Sequence, residues 1–416
     1  MKQLIASALL SAVVAAAATA LPAAARTEHW QPTWISSPQP LWGEDWVLPL
    51  GMPRSFRDVT LRQSVRTALG GNRVRLVISN EYGATPLEVG ALAVRRATNG
   101  PAVSVRFQGR DTVTVAPGAR VTSDAVPLPL SAGDRLQTEL YLPETTAVAG
   151  FHWNAQDTLS VLPGNAIDRG EVEPAKTFTT RAFIAEILVA ADRAPQTVVA
   201  IGDSITDGNG STVGRDQRWP DHLARRLAPR GVAVLNAGIA GNRLQRGGWG
   251  DSALARFQRD VLRHPGVRAV VVLLGTNDIG FPGSPFAPDE APASLETLTD
   301  AFHQLVEQAH ARDVRVIAAT VPPFEHALEG TPLQGHYSPQ KEALRQKLNA
   351  WIRTAGAFDA IVDFDAVLRD PSHPSRLDPA LDSGDHLHPG DAGYRRMAEA
   401  IDLQALLGTA GKEVIR

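Results

Sequence analysis

The chain has 416 residues, a net charge of −3 and no cysteine, and it is 44% hydrophobic and 20% charged. This length has room for two domains, and the balance of apolar and charged residues is that of a globular protein. The lack of cysteine excludes disulfides, a cysteine nucleophile and cysteine-ligated metal, and the scattered basic residues offer no stripe for nucleic acid.

Residues 1–25 read as a secretory signal peptide. Lys2 gives a short positive start, residues 4–21 are an apolar, Ala-rich run, and Ala23-Ala24-Ala25 offers the small residues a signal peptidase needs. The expectation is an exported protein, periplasmic or extracellular, whose mature chain starts near Arg26. A membrane anchor is the competing reading, but the segment is short, and no later stretch approaches the ~20 apolar residues of a span.

From about residue 55 to 190 the pattern has period two. Val74, Leu76 and Ile78 alternate with Arg73, Arg75 and Ser79; Val103, Val105 and Phe107 alternate with Ser104 and Arg106; Leu136, Leu140 and Leu142 alternate with Gln137, Glu139 and Tyr141. Successive strand side chains point to opposite faces, so each run has one buried and one wet face. Turn signals separate the runs at Gly70-Gly71-Asn72, Asn99-Gly100-Pro101, Ala116-Pro117-Gly118 and Ala132-Gly133-Asp134. The expectation for residues 26–192 is an all-β sandwich or jelly-roll-like domain. A linker is expected at residues 191–196.

Beyond residue 195 apolar runs alternate with helical patterns. Strands are expected at residues 197–201, 232–236, 267–274, 314–320 and 360–364, and helices at 220–227, 252–262 and 295–311. Ser338-Pro339 opens another helix, with Ser as cap and Pro at the first helical position. Residues 193–416 therefore read as an α/β domain with a parallel sheet covered on both faces. Ligands of such sheets sit outside the carboxyl ends of the strands, so residues that follow a strand are functional candidates.

Four segments occupy such positions or follow near the C-terminus: Gly202-Asp203-Ser204-Ile205, Asn236-Ala237-Gly238-Ile239-Ala240-Gly241-Asn242, Gly275-Thr276-Asn277-Asp278 and Asp385-His386-Leu387-His388. A serine hydroxyl needs a base to become a nucleophile, and an imidazole titrating near ~6.5 can serve. Asp385, three residues before His388, can fix the imidazole tautomer. Asp382 and His386 have similar spacing and stand as reserves. Each of these residues also has a structural reading: Ser204 as a helix cap, Gly241 as a turn residue, Asn277 as a loop brace. Asp203 and Asp278 read as structural hydrogen-bonders.

In carrying Ser, Gly, Asn and Asp-x-x-His blocks in this order, residues 197–405 resemble the SGNH (GDSL-type) hydrolase superfamily, with Ile205 where the short family motif has Leu. The resemblance implies a flavodoxin-like catalytic domain with five parallel strands and flanking helices. It also implies a catalytic Ser204, Asp385 and His388, and an oxyanion hole formed by the N–H groups of Ser204 and Gly241 and the amide of Asn277. Each such donor is typically worth ~3 kcal/mol of barrier. No cofactor is expected. Asp385, His386 and His388 could in principle hold zinc, but the four blocks account for Asp385 and His388 without metal.

Arg218-Trp219-Pro220, His336-Tyr337-Ser338-Pro339 and Asp382-Ser383-Gly384 make the C-terminal half similar to bacterial arylesterase and acetyl-xylan-esterase-like members. Many of these have a β-rich N-terminal domain with a segment similar to Val77-Ile78-Ser79-Asn80-Glu81-Tyr82-Gly83. That likeness implies short acyl groups, such as acetyl on a plant-wall polysaccharide. Trp219 and Trp249, in loops after the first two strands of this half, are expected to line the cleft as substrate-binding residues or to brace its loops, and Arg243 and Arg246 to contact a polar or acidic substrate. The alternatives are a lipase or lysophospholipase, a broad arylesterase, and, from another class, a carbohydrate-binding protein with a secondary hydrolase half. The sequence does not specify an oligomeric state.

Overall fold

The computed structural model describes residues 28–97, 100–170, 172–191 and 193–408. The expected signal and Arg26 lie outside the described residues, as do Asn99 of one expected turn and Asp192 of the expected linker.

The period-two runs of the first half pair into two antiparallel sheets. One has the order His29–Ile35, Ile184–Ala191, Gly71–Ser79, Arg120–Thr122, with Val126–Leu130 also paired to Gly71–Ser79. The other runs Lys176–Phe178, Leu159–Pro163, Val59–Arg66, Arg135–Leu142, Ala91–Arg96, Val103–Ser104. Leu61, Leu136 and Leu140 of one sheet share a buried core with Val74, Leu76 and Ile78 of the other. Each such side chain gains ~1.5–3 kcal/mol on full burial.

Two details depart from simple alternation. Glu139, expected on a wet face, is buried between Arg62 and Arg95, which pair with its two carboxylate oxygens at 2.8 and 2.9 Å. The run through Phe107 is strand only at Val103–Ser104. A turn cuts it short: Gln108 and Gly109 adopt positive φ, and their N–H groups donate to the Asp124 carboxylate.

The second half is a five-stranded parallel sheet in the order Ala233–Gly238, Thr197–Gly202, Val267–Leu273, Arg315–Ala319, Ala360–Val362. Thr197–Gly202 is buried along its whole length, as continuous apolar strands of a doubly covered sheet must be. Helices Ala253–Phe257, Leu295–His310 and Pro339–Thr354 contribute Phe257, Phe302 and Leu348 to the core on one face. Trp219–Leu227 and Asp391–Ala400 contribute Trp219, Leu223, Tyr394 and Met397 to the core on the other. Ser338 caps its helix as expected, accepting from the Lys341 N–H at 3.2 Å. The last expected strand ends two residues early, because Asp363 caps a short helix, Phe364–Leu368.

The chain leaves the first strand of this sheet toward one edge and returns on its other side for the third. That reversal opens a crevice between the carboxyl ends of Thr197–Gly202 and Val267–Leu273. The two halves are packed into each other. Ile35 belongs to a core of the α/β half, while Ala233, Trp249 and Phe281 join the core of the β-rich half. The Gln31 amide also donates to the Gln196 carbonyl at 2.6 Å.

Candidate active site

Thr197–Gly202 delivers Asp203 and Ser204 to the crevice. Asp203 caps a one-turn helix, Ser204–Asp207, by accepting from the Ile205 N–H at 3.0 Å, and Gly208 closes the helix in the left-handed region. The cap sets the direction of Ser204 at the helix start. Burial pushes the Asp203 carboxyl up to about 6. The cap is a structural hydrogen bond of the kind expected of Asp203.

The last block returns from the far end of the chain. His388 Nε2 lies 2.8 Å from Ser204 Oγ, and His388 Nδ1 lies 2.6 Å from Asp385 Oδ2. The backbone N–H groups of Leu387 and His388 donate to Asp385 Oδ1 at 3.0 and 2.8 Å. Burial alone would raise the Asp385 carboxyl. The His388 imidazole and these N–H donors outweigh it and hold the group well below the usual carboxylate range. Ser204 and His388 are mostly buried, each with 8% exposure. The reserve pair forms a second contact: His386 Nδ1 lies 2.6 Å from Asp382 Oδ2, on an exposed imidazole that makes no hydrogen bond to Ser204.

Gly241 and Asn277 come from the two flanking strand ends. Gly241 has φ +74, and a Cβ there would lie 2.1 Å from the Trp249 ring. Glycine is therefore required twice over, by backbone conformation and by the indole against it. Among the described residues, neither the Ser204 nor the Gly241 N–H donates to another protein group. The Asn277 amide donates to the Asn242 carbonyl at 3.1 Å, which orients it and leaves its second N–H available. Asp278 also serves structure: both carboxylate oxygens accept from the Leu244 N–H, at 3.0 and 3.2 Å, joining the third block to the second. Burial drives its carboxyl up to about 7 against the pull of that donor and of Arg243.

Three weaker expectations meet different fates. Trp219 does not line a cleft. It has 0% exposure, starts the Trp219–Leu227 helix and packs against Phe364 in the sheet core, so its substrate contact is corrected to a packing role. Trp249 is buried as well, wedged among Trp42, Trp46, Trp153, Phe281 and Phe286, and it braces Gly241. Arg243 is buried too. Its guanidinium pairs with Glu290 at 2.8 Å and donates to the Gly247 carbonyl, so it is not free for an anionic substrate; Arg246, paired with the same carboxylate at 3.3 Å, is the exposed one.

Two supporting groups escaped the sequence reading. Arg256 is fully buried and donates to the carbonyls of Gly202 and Ala237, to Asn242 Oδ1 and to Asp260. It ties together the strand ends that carry Ser204 and Gly241. Its signal was an i,i+4 Arg–Asp pair, Arg256 and Asp260, on the apolar face with Ala253, Phe257 and Val261. His152 reaches over from the β-rich half: its Nε2 lies 2.9 Å from Asp207 Oδ1 and its Nδ1 lies 2.8 Å from the Ser37 carbonyl oxygen. No pattern in the sequence marks that contact.

The C-terminal half is thus a doubly wound α/β domain that presents Ser204, Gly241 and Asn277 on the segments after its strands, with Asp385, His388 and Ser204 in one line of hydrogen bonds. Residues 200–396 match the model of the GDSL-like lipase/acylhydrolase family. No curated protein matches the chain. Among solved structures, a lipolytic protein of the G-D-S-L family from Desulfitobacterium hafniense DCB-2 is similar at 24% identity, covering 49% of this chain and 97% of its own, with a TM-score of 0.36. A variant of an acetyl-xylooligosaccharide esterase from Geobacillus Stearmophilus shows 21% identity over 52% of this chain and 96% of its own, TM-score 0.36. The aryl esterase of M. Smegmatis shows 17% identity over 49% and 95%, TM-score 0.38. Among the described residues, no group of three or more His, Asp or Glu is arranged to hold a metal, and no helix is long and apolar enough to cross a membrane.

Proposed function

We propose that this protein is an exported serine esterase for short-chain carboxylic esters. The unbroken line from Asp385 through His388 to Ser204 Oγ, with links of 2.6 and 2.8 Å, carries this reading. His388 takes the Ser204 proton as Oγ attacks the ester carbonyl, and Asp385 stabilises the imidazolium that forms. The N–H groups of Ser204 and Gly241 and the free N–H of Asn277 receive the developing oxyanion. Collapse of the intermediate expels the alcohol with a proton from His388. Water, activated by the same imidazole, then releases the acid from acyl-Ser204.

The preferred substrate in this reading is an acetyl ester, on plant-wall polysaccharide or its oligosaccharides. Its supports are the likeness of the C-terminal half to acetyl-xylan-type esterases and the signal-like residues 1–25, which would bring the enzyme to a polymer outside the cytoplasm. A p-nitrophenyl ester series run beside acetate release from acetylated xylan tests it. The expected result is a maximum at acetate, release from xylan, and loss of turnover by roughly 10⁴-fold or more in Ser204→Ala with the fold intact. A maximum at octanoate or longer would turn the assignment to a lipase, and substantial activity in Ser204→Ala would remove the mechanism. The reading of the β-rich half as a detachable carbohydrate-binding module is the weaker one, since residues of both halves share the same hydrophobic cores.

A further inference from the structure

A cavity of about 400 Å³ lies between the two halves and is lined by Asp207, at the end of the Ser204–Asp207 helix. Trp34, Ala68 and Arg181 line it from the β-rich half, and Asp207, Arg218 and Ala224 from the α/β half. Its volume falls in the range of small-molecule sites. The Ser204–His388 pair does not line it, so it is separate from the site described above.

The polar groups around the cavity limit what can fill it. Three of the four guanidiniums in its lining pair with carboxylates: Arg181 with Asp157 at 3.1 Å, Arg66 with Asp216 at 2.6 Å and Arg218 with Asp221 at 2.6 Å; the fourth, Arg225, donates to the Asp216 carbonyl oxygen at 3.0 Å and lies 2.7 Å from His222 Nδ1. The guanidinium without a carboxylate, Arg225, is exposed, so solvent screens its pull on an anion, and the arginines themselves disfavour a cation. One polar atom is unmatched. Asp207 Oδ1 faces His152, but Asp207 Oδ2 has no hydrogen-bond partner among the described residues, on a side chain with 2% exposure. A buried acceptor without a donor is costly, so the natural occupant brings a donor. Each arginine also keeps N–H groups beyond those in its ion pair, which suit hydroxyl oxygens. Ile35, Ala68, Ala224 and Val234 supply apolar walls, and Trp34, with Arg181 stacked 5.2 Å from its ring centre, supplies a flat one.

We propose that this cavity is a second ligand site, for a neutral hydroxylated ring of the sugar type, with one hydroxyl donating to Asp207. The ring's C–H faces lie on the apolar walls and Trp34, and its remaining hydroxyl oxygens accept from the arginines. The proposal does not depend on the esterase reading, because free sugars carry no ester bond.

Wild-type protein is titrated by calorimetry and by ligand-observed NMR with xylose, xylobiose, glucose and cellobiose, and with glucuronate and glucosamine as charged comparators. Hydrolysis of p-nitrophenyl acetate is followed in parallel. At least one neutral sugar is expected to bind. Ala224→Trp, which fills the cavity, should weaken that binding by roughly tenfold or more and leave p-nitrophenyl acetate hydrolysis within about twofold. Ala68→Leu, from the opposite wall, repeats the test should the tryptophan variant fail to fold. The proposal is overturned if no neutral sugar binds the wild type, if a charged comparator binds more tightly, or if a folded cavity-filling variant binds as well as wild type.

Discussion

Gly241 shows how one position answers to several constraints. It has positive φ, its N–H donates to no other protein group among the described residues, and the Trp249 ring occupies the space a Cβ would need. Gly241→Ala must strain the backbone and displace the indole. Hydrolysis should fall by roughly 10²-fold, the order expected for loss of an oxyanion donor, together with a lower melting temperature. A drop in melting temperature with kcat unchanged would reduce Gly241 to a turn residue. Asp278 gives a prediction with a sign. Burial raises its folded-state value to about 7, above the ordinary carboxylate range. Between that ordinary range and pH 7 the folded chain therefore binds the proton that the unfolded chain has lost. The slope of stability with pH from this group is negative there: its contribution is most favourable in acid and declines as pH rises to 7. Asp278→Asn keeps an acceptor for the Leu244 N–H without the buried charge. Its stability relative to wild type should increase from pH 5 to pH 8, measured by denaturant melts. A flat or opposite trend would show that Asp278 does not titrate in that window.

Among the elements, the segment after Gly241 carries the greatest burden. Ala253–Phe257 continues into a single wide helical turn, Gln258–Leu262, and from this helix Arg256 reaches under two strand ends at once. Such turns recur near functional sites, where they redirect side chains. Arg256→Met removes the buried cation while leaving Asp260 paired with Arg259 at 2.7 Å. The expected cost is about 3–5 kcal/mol of stability, and kcat should fall further than KM rises, because the strand ends that position Ser204 and Gly241 lose their tie. Unchanged kinetics in a destabilised variant would limit Arg256 to a structural role. The strands and long helices of this half were legible because apolar runs and helical periodicity follow directly from burial on two faces. The four blocks were legible because their order, and the places of the first three after strands, are properties of the chain itself. Trp219 was misread because the loop it was assigned to is the first turn of a helix, where an aromatic ring can turn inward. Arg256 and His152 were missed because their partners are carbonyls and side chains distant along the chain, and no local pattern encodes that proximity.

For the molecule as a whole, the β-rich half is built into the α/β half rather than attached to it. Trp249 and Phe281 pack into a core made mainly by the first half, and His152 holds the end of the Ser204–Asp207 helix. Residues 193–416 expressed alone would expose that aromatic cluster to water. This fragment is expected to aggregate or to lose most of the hydrolysis shown by the full chain, with activity per folded molecule as the measurement. A soluble fragment with full activity would restore the view of two independent modules. The indole cluster has one more consequence. Neighbouring rings among Trp42, Trp46, Trp153 and Trp249 stand with centres 5.0 to 5.8 Å apart, and the last of them packs against Gly241. Their light emission is thus a built-in gauge of the seam: as the halves part, the colour of the fluorescence reddens at the same moment that Gly241 loses its support.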